Sequence, residues 1–284
     1  MDLYNLDCLN INNINIPYIN IPSHLKSFDL VLGGGGFRSY YHLGFFRVIK
    51  ELVKQNKIFV RNIIGTSSGA ISAVYYACEI GDQEILSTYS LIKEKMKGGE
   101  SLHDAAIYTL RKLLPPNAHT ICSNKVRIYV SILSWTGFQS MYIDQFETFE
   151  DLILAISASI NIPYLTSSSW TGTWFKGSRC YDGLFTSIIP SIKSKNHDIV
   201  QLEVATHRVL YPKRHTLHPG DSHIYLLSLR GLIETHEFFN GKINNIIRWI
   251  EPGSDFENKK KSFRLYLIIP GLMWIYAIKF GSKV

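Results

Sequence analysis

Two stretches decide the fold. Phe28-Asp-Leu-Val-Leu-Gly33 runs into Gly34-Gly35-Gly36-Phe37-Arg38, and Phe59-Val-Arg-Asn-Ile-Ile64 runs into Gly65-Thr66-Ser67-Ser68-Gly69. Each is a short apolar run ending in glycine, the pattern of a strand buried in a sheet and then turned sharply. Between them Tyr41, Phe45, Val48, Ile49 and Leu52 recur at helical spacing and predict an amphipathic helix over 38–55. Residues 68–80 are nearly all small or apolar, so a helix buried on most sides is expected there. Strand, helix, strand, helix is the repeating unit of a parallel sheet.

Working outward, helices are predicted over 85–96, closed by Gly98-Gly99, and over 102–114, stopped by Pro115-Pro116. Residues 126–133 and 138–143 predict a hairpin across Thr136-Gly137. Strands over 198–205 and 222–229 and a long amphipathic helix from Leu232 to Ile250 complete the pattern. The expected fold class is α/β, a three-layer α/β/α sandwich with a largely parallel central sheet. Its expected divisions are an irregular leader over 1–27, a main domain over 28–230, and a helical extension with an apolar tail over 231–284.

A chain of 284 residues can bury a substantial core, and 46% hydrophobic with 19% charged residues excludes both a disordered chain and a polytopic membrane protein. The N-terminus lacks the basic and continuous apolar regions of a secretory signal, so none is expected. Cys8, Cys78, Cys122 and Cys180 are scattered without metal-ligand spacing and read as unpaired thiols of a reducing compartment. The net charge of +7 suits nucleic acid or an anionic membrane, but no nucleic-acid motif supports the first. Residues 265–278 carry no charge, yet they fall short of the roughly twenty residues of a spanning helix and contain Pro270-Gly271. They read as a buried terminal segment, with an interfacial membrane anchor as the alternative.

Loops at the carboxyl ends of strands form the usual ligand site of an open α/β sheet, and three motifs fall in such loops. The run from Gly33 to Gly36 can turn tightly and aim several N–H groups at one spot near a helix N-terminus, where a phosphate or an oxyanion would be held. Ser39 occupies the last glycine place of GxGxxG and no GxxxxGK[ST] is present, so no nucleotide loop is predicted. Gly65-Thr66-Ser67-Ser68-Gly69 is a GxSxG sequence at a strand-to-helix turn, the context of a nucleophile elbow; a helix cap by Ser67 or Ser68 is the plainer reading. Asp182-Gly183 alone is a turn, and it gains interest from a serine that needs a base. His207, His215, His218, His223 and His236 follow the serine and leave a Ser-His-Asp triad open, with Asp182 followed by His215 or His223. Only about two strands precede Ser67, however, fewer than the α/β-hydrolase fold places before its elbow.

In this order, the three motifs resemble the patatin-like phospholipase family, from about Phe28 to Pro190. Gly34, Gly35, Gly36 and Arg38 match the family's GGG-x-[RK]-G loop, and His42-Leu43-Gly44 resembles its continuation. Gly65, Ser67 and Gly69 match GxSxG, Asp182 and Gly183 match DG[GA], and residues 158–163 resemble an Ala/Ser-rich stretch ending in Ile-Pro. Ser39 departs from the glycine that closes the loop, and Leu184 from the small residue after Asp-Gly. The resemblance implies a phospholipase A-type acyl hydrolase in which Ser67 attacks an ester and Asp182 takes its proton with no histidine between. Such a carboxylate needs partial desolvation to raise its pKa. Gly34, Gly35 and Gly36 would hold the oxyanion, with Arg38, Gly65, Gly69 and Gly183 in support and no metal or cofactor. The implied partners are a phospholipid or other acyl-ester lipid and, peripherally, an anionic membrane, in an intracellular, cytoplasmic or membrane-peripheral location. A non-catalytic lipid-binding module on the same scaffold is the competing reading.

Overall fold

The computed structural model describes residues 21–190, 199–210, 217 and 221–252. Its strands are β1 (Ser27–Leu32), β2 (Phe59–Thr66), β3 (Val126–Ser134), β4 (Gly137–Ile143), β5 (Thr173–Phe175), β6 (Ser178–Asp182), β7 (Gln201–Val204) and β8 (Ile247–Ile250). The helices are α1 (Tyr41–Lys54), α2 (Ser68–Ala77), α3 (Asp82–Lys97), α4 (Leu102–Leu113), α5 (Ala118–Cys122), α6 (Phe149–Ser159) and α7 (Asp221–Phe239). The strands form one sheet in the order β5-β6-β3-β2-β1-β7-β8, with β4 also on β3. Helices flank this sheet. Its central strands β3, β2, β1 and β7 are parallel, while β4, β5, β6 and β8 join antiparallel.

The parallel centre follows from its residues. Every side chain of β1 after Ser27 is buried, as a strand covered on both faces requires. A 3-10 turn at Gly36–Tyr40 leads into α1, which buries Tyr41, Phe45, Val48, Ile49 and Leu52 against the core. Helix α2 buries all but a few of its positions, as its small and apolar sequence predicts. Cap chemistry sets other starts: the Asp104 N–H donates to Ser101 Oγ at α4, and the Asp151 N–H donates to Thr148 Oγ1 at α6.

Two elements differ from expectation. Residues 222–229, predicted as a strand, lie in α7, where Ile224, Leu227 and Leu232 are buried at helical spacing. The helix predicted to reach Ile250 stops at Phe239, before Gly241 at a left-handed φ of 86°, and Ile247–Ile250 returns as β8 alongside β7. The expected division at 230/231 falls inside α7. Residues 1–20 and the apolar run 265–278 lie outside the described residues. No helix among the described residues is long and apolar enough to cross a membrane.

Strand β3 fixes where the site can form. Its residues 128–134 pair with β4 along one edge. On the other edge, residues 126–129 pair with β2 and residues 130–132 with β6. Because β2 is parallel to β3 and β6 antiparallel, the carboxyl ends of β2 and β6 meet head to head between Tyr129 and Val130. Their last residues are Thr66 and Asp182. The join is tight: a Cβ on Gly183 would lie 2.2 Å from Thr66 Oγ1 and 2.5 Å from Tyr129 Cδ1.

Candidate active site

The residue after β2 is Ser67, which takes φ 54° and ψ −133° before α2 begins. That conformation costs a non-glycine residue about 1–3 kcal/mol and is the strained turn of a nucleophile elbow. The flanking glycines make it sterically feasible. A Cβ on Gly65 would lie 2.4 Å from the Gly69 carbonyl oxygen, and one on Gly69 would lie 2.4 Å from the Leu32 carbonyl oxygen. The Gly-x-Ser-x-Gly spacing is therefore a packing requirement of this crossing.

Asp182 ends β6 on the opposite side of the join and is 0% exposed. Its N–H donates to the Asn161 carbonyl at 2.9 Å, and its Oδ1 accepts from the Leu184 N–H at 2.9 Å. Burial pushes its carboxyl up from 3.8 to about 7, while the nearby Ser67 hydroxyl and the Leu184 N–H pull the other way; its Oδ2 is buried without a hydrogen-bond partner among the described residues. Burial in the strand join is the cause of that rise. No histidine is among the groups acting on it.

The glycine loop packs against the same serine. A Cβ on Gly34 would lie 2.7 Å from Ser67 Cβ and 3.4 Å from Ser67 Oγ. The loop is held from behind, because Thr206 Oγ1 donates to the Gly33 carbonyl at 3.0 Å and Arg38 Nη1 donates to the His207 carbonyl at 2.9 Å. Arg38 thus has a loop-fixing contact. The Gly34 N–H reaches the Ile188 carbonyl at 3.3 Å, and the Gly35 N–H donates to Ser68 Oγ at 3.1 Å. Gly36, at φ 58°, starts the 3-10 turn, whose first N–H groups have no partner within the turn.

Ser67, Asp182 and the loop from Gly34 to Arg38 line one cavity of about 530 Å³, within the size range of small-molecule sites. Ser67, Asp182 and Gly34, Gly35 and Gly36 contribute its polar part; Leu43, Phe46, Ile71, Ile85, Ile92 and Ile162 contribute apolar wall. Leu184 and Ser39, the departures from the family pattern, also face it. Gly65, Gly69 and Gly183 act through backbone packing and do not line it.

The sequence assigns no site role to several neighbours. Ser159 Oγ accepts from the Ser67 N–H at 2.9 Å and donates to the Tyr129 carbonyl at 2.8 Å. His42 and His103 line the cavity; His42 Nδ1 lies 3.0 Å from Ser72 Oγ, and burial lowers its pKa to about 3, so it is neutral. Among the histidines weighed for a triad, His207 lines the cavity, His223 and His236 belong to α7, and His215 and His218 lie outside the described residues.

A family model described as Patatin-like phospholipase matches residues 30–190. The chain is 23% identical over 178 residues to the 1-acylglycerol-3-phosphate O-acyltransferase Pnpla3 of Mus musculus, covering 60% of this chain and 42% of that protein. It is 25% identical over 175 residues to the human Patatin-like phospholipase domain-containing protein 5, covering 57% and 39%. It is 25% identical over 165 residues to the human Omega-hydroxyceramide transacylase, covering 55% and 30%. The matched region thus spans less than half the length of each of these relatives.

Proposed function

Because this chain belongs to the patatin-like phospholipase family, we propose that it is a lipid acyl hydrolase working through a Ser67–Asp182 dyad. One observation carries the reading: a serine in an elbow conformation and a buried, desolvated carboxylate stand where two strand ends abut, both in the lining of a largely apolar cavity. Ser67 Oγ attacks the ester carbonyl as Asp182 takes its proton, and the leaving alcohol departs with a proton from Asp182. Water then repeats the sequence on the acyl-enzyme. Loop N–H groups around Gly34, Gly35 and Gly36 bind the oxyanion; for the Gly34 and Gly35 N–H groups this requires the Ile188 carbonyl and the Ser68 hydroxyl to give way. The apolar wall accommodates an acyl chain, and no metal or cofactor enters the steps.

A second reading comes from the relatives. Two of those named above are an acyltransferase and a transacylase, and in this reading an acceptor hydroxyl resolves the acyl-enzyme in place of water. An anionic membrane is the proposed peripheral partner. It is supported by the net charge of +7 and by exposed Trp135, Trp170 and Trp174, the last with Arg179 over its ring.

The test is product analysis on mixed phospholipid vesicles, with and without an added lysolipid acceptor. Free fatty acid in both arms supports hydrolysis, acylated acceptor supports transfer, and either product must vanish in Ser67→Ala. The initial rate is expected to rise with pH through a midpoint near 7, because Asp182 acts as a base only after losing its proton. A rate that falls across that interval would argue against Asp182 as base.

A further inference from the structure

The ladder between β2 and β3 is interrupted in a specific way. The Ile63 N–H donates to the Lys125 carbonyl at 2.9 Å. Bonds of this parallel series recur at every second residue, so the next donors are Gly65 and Ser67, and the carbonyl due to accept from Ser67 is that of Tyr129. In place of that direct bond stands the Ser159 hydroxyl, which accepts from the Ser67 N–H and donates to the Tyr129 carbonyl. Ser159 is the last residue of α6 and is 0% exposed. One inserted hydroxyl lets the chain leave β3 at Ser67 while both ladder groups stay satisfied.

Two residues further on, the Asn161 carbonyl accepts from the Asp182 N–H. The C-terminal end of α6 and the residues just after it therefore grip both sides of the strand join, Ser67 by the Ser159 side chain and Asp182 by the Asn161 backbone. We propose that Ser159 is a positioning residue that holds the Ser67 elbow, and with it the spacing between Ser67 and Asp182. The inference rests on the acyl-hydrolase reading for its kinetic consequence and on the hydrogen bonds alone for its structural one. Ser159 touches no reacting atom. Its removal leaves a buried N–H and a buried carbonyl without their partner, so the elbow is free to shift.

The experiment follows covalent labelling of the full chain by a soluble fluorophosphonate, with amide hydrogen exchange at Ser67 read in parallel. Ser159→Ala is expected to lower the maximal labelling rate about 10- to 100-fold, the scale of loss for a nucleophile misplaced by about an ångström, without changing the half-saturating probe concentration. Ser159→Thr, which keeps the hydroxyl, should recover most of that rate. Ile156→Val trims a buried residue on the same helix outside the site and should leave the rate at the wild-type level despite some loss of stability. Exchange at the Ser67 amide should accelerate in Ser159→Ala and in neither of the other variants. If Ser159→Ala does not fold, Ser159→Cys is read by the same two measurements.

Wild-type labelling and wild-type exchange in the Ser159 variant would overturn the inference, as would an equal loss of rate in Ile156→Val. A wild-type chain that takes no label would overturn the acyl-hydrolase reading instead. Exchange at Ser67 would then still decide the place of Ser159.

Discussion

Asp182→Asn is expected to lower ester turnover about ten-thousandfold, the upper end of what a positioned general acid–base contributes. The change is nearly isosteric. The amide oxygen can still accept from the Leu184 N–H, and the backbone bond to Asn161 is untouched, so the strand join should persist. What disappears is the ability to take a proton from Ser67. Stability gives an independent check with a definite sign. Burial raises the folded-state pKa of Asp182 from 3.8 to about 7, so the folded state binds the proton more tightly than the unfolded state. The wild type therefore loses stability as pH rises from about 4 to about 7 and stays at the lower level above that. An asparagine cannot ionise and escapes this loss. The variant should thus gain in melting temperature relative to wild type between pH 4 and pH 8 while losing activity. A variant with wild-type turnover would remove Asp182 from the mechanism.

The second large effect is expected at the glycine loop. In Gly34→Ala the new methyl would fall 2.7 Å from Ser67 Cβ, closer than packed atoms tolerate, and a tight 3.2 Å from the Thr66 carbonyl oxygen. Either the loop or the serine must move, and the loop donors no longer meet the oxyanion of a serine adduct. A loss of about 100- to 1,000-fold in kcat is expected, comparable to removing one oxyanion donor. The cavity wall is unaffected, so KM for a short soluble ester should change little. Steady-state kinetics on such an ester separates the two constants. A raised KM with unchanged kcat would place Gly34 in substrate binding and not in oxyanion support.

Much of this architecture could be read from residues alone, and the exceptions share a physical cause. β1, α1, β2 and α2 were legible because their apolar periodicity is local and each ends at a glycine. Residues 222–229 were misread because a short apolar run has no decisive period; packing against α1 makes them helical. The stop after Phe239 was present in the sequence as Asn240-Gly241, a helix-ending pair outweighed by the apolar spacing beyond it. β8 exists only through its pairing with β7, a long-range contact that no local pattern announces.

The site divides the same way. Ser67, Asp182 and the glycine loop stood out because their motifs carry the packing constraints of a sharp turn, and the structure brings all three to one cavity. Ser159 did not stand out, since a serine in an Ala/Ser-rich stretch has no local signature of the ladder bond it replaces. Nor could sequence reveal that the Gly35 N–H is already held by Ser68. Both are facts about which backbone groups meet across the fold.

The proposed acyl-enzyme at Ser67 is tested most directly by intact-protein and peptide mass spectrometry after exposure to a fluorophosphonate. A single adduct on the peptide containing Ser67, absent from Ser67→Ala and slowed in Asp182→Asn, is the expected result. An adduct on another residue, or full ester turnover by Ser67→Ala, would contradict it.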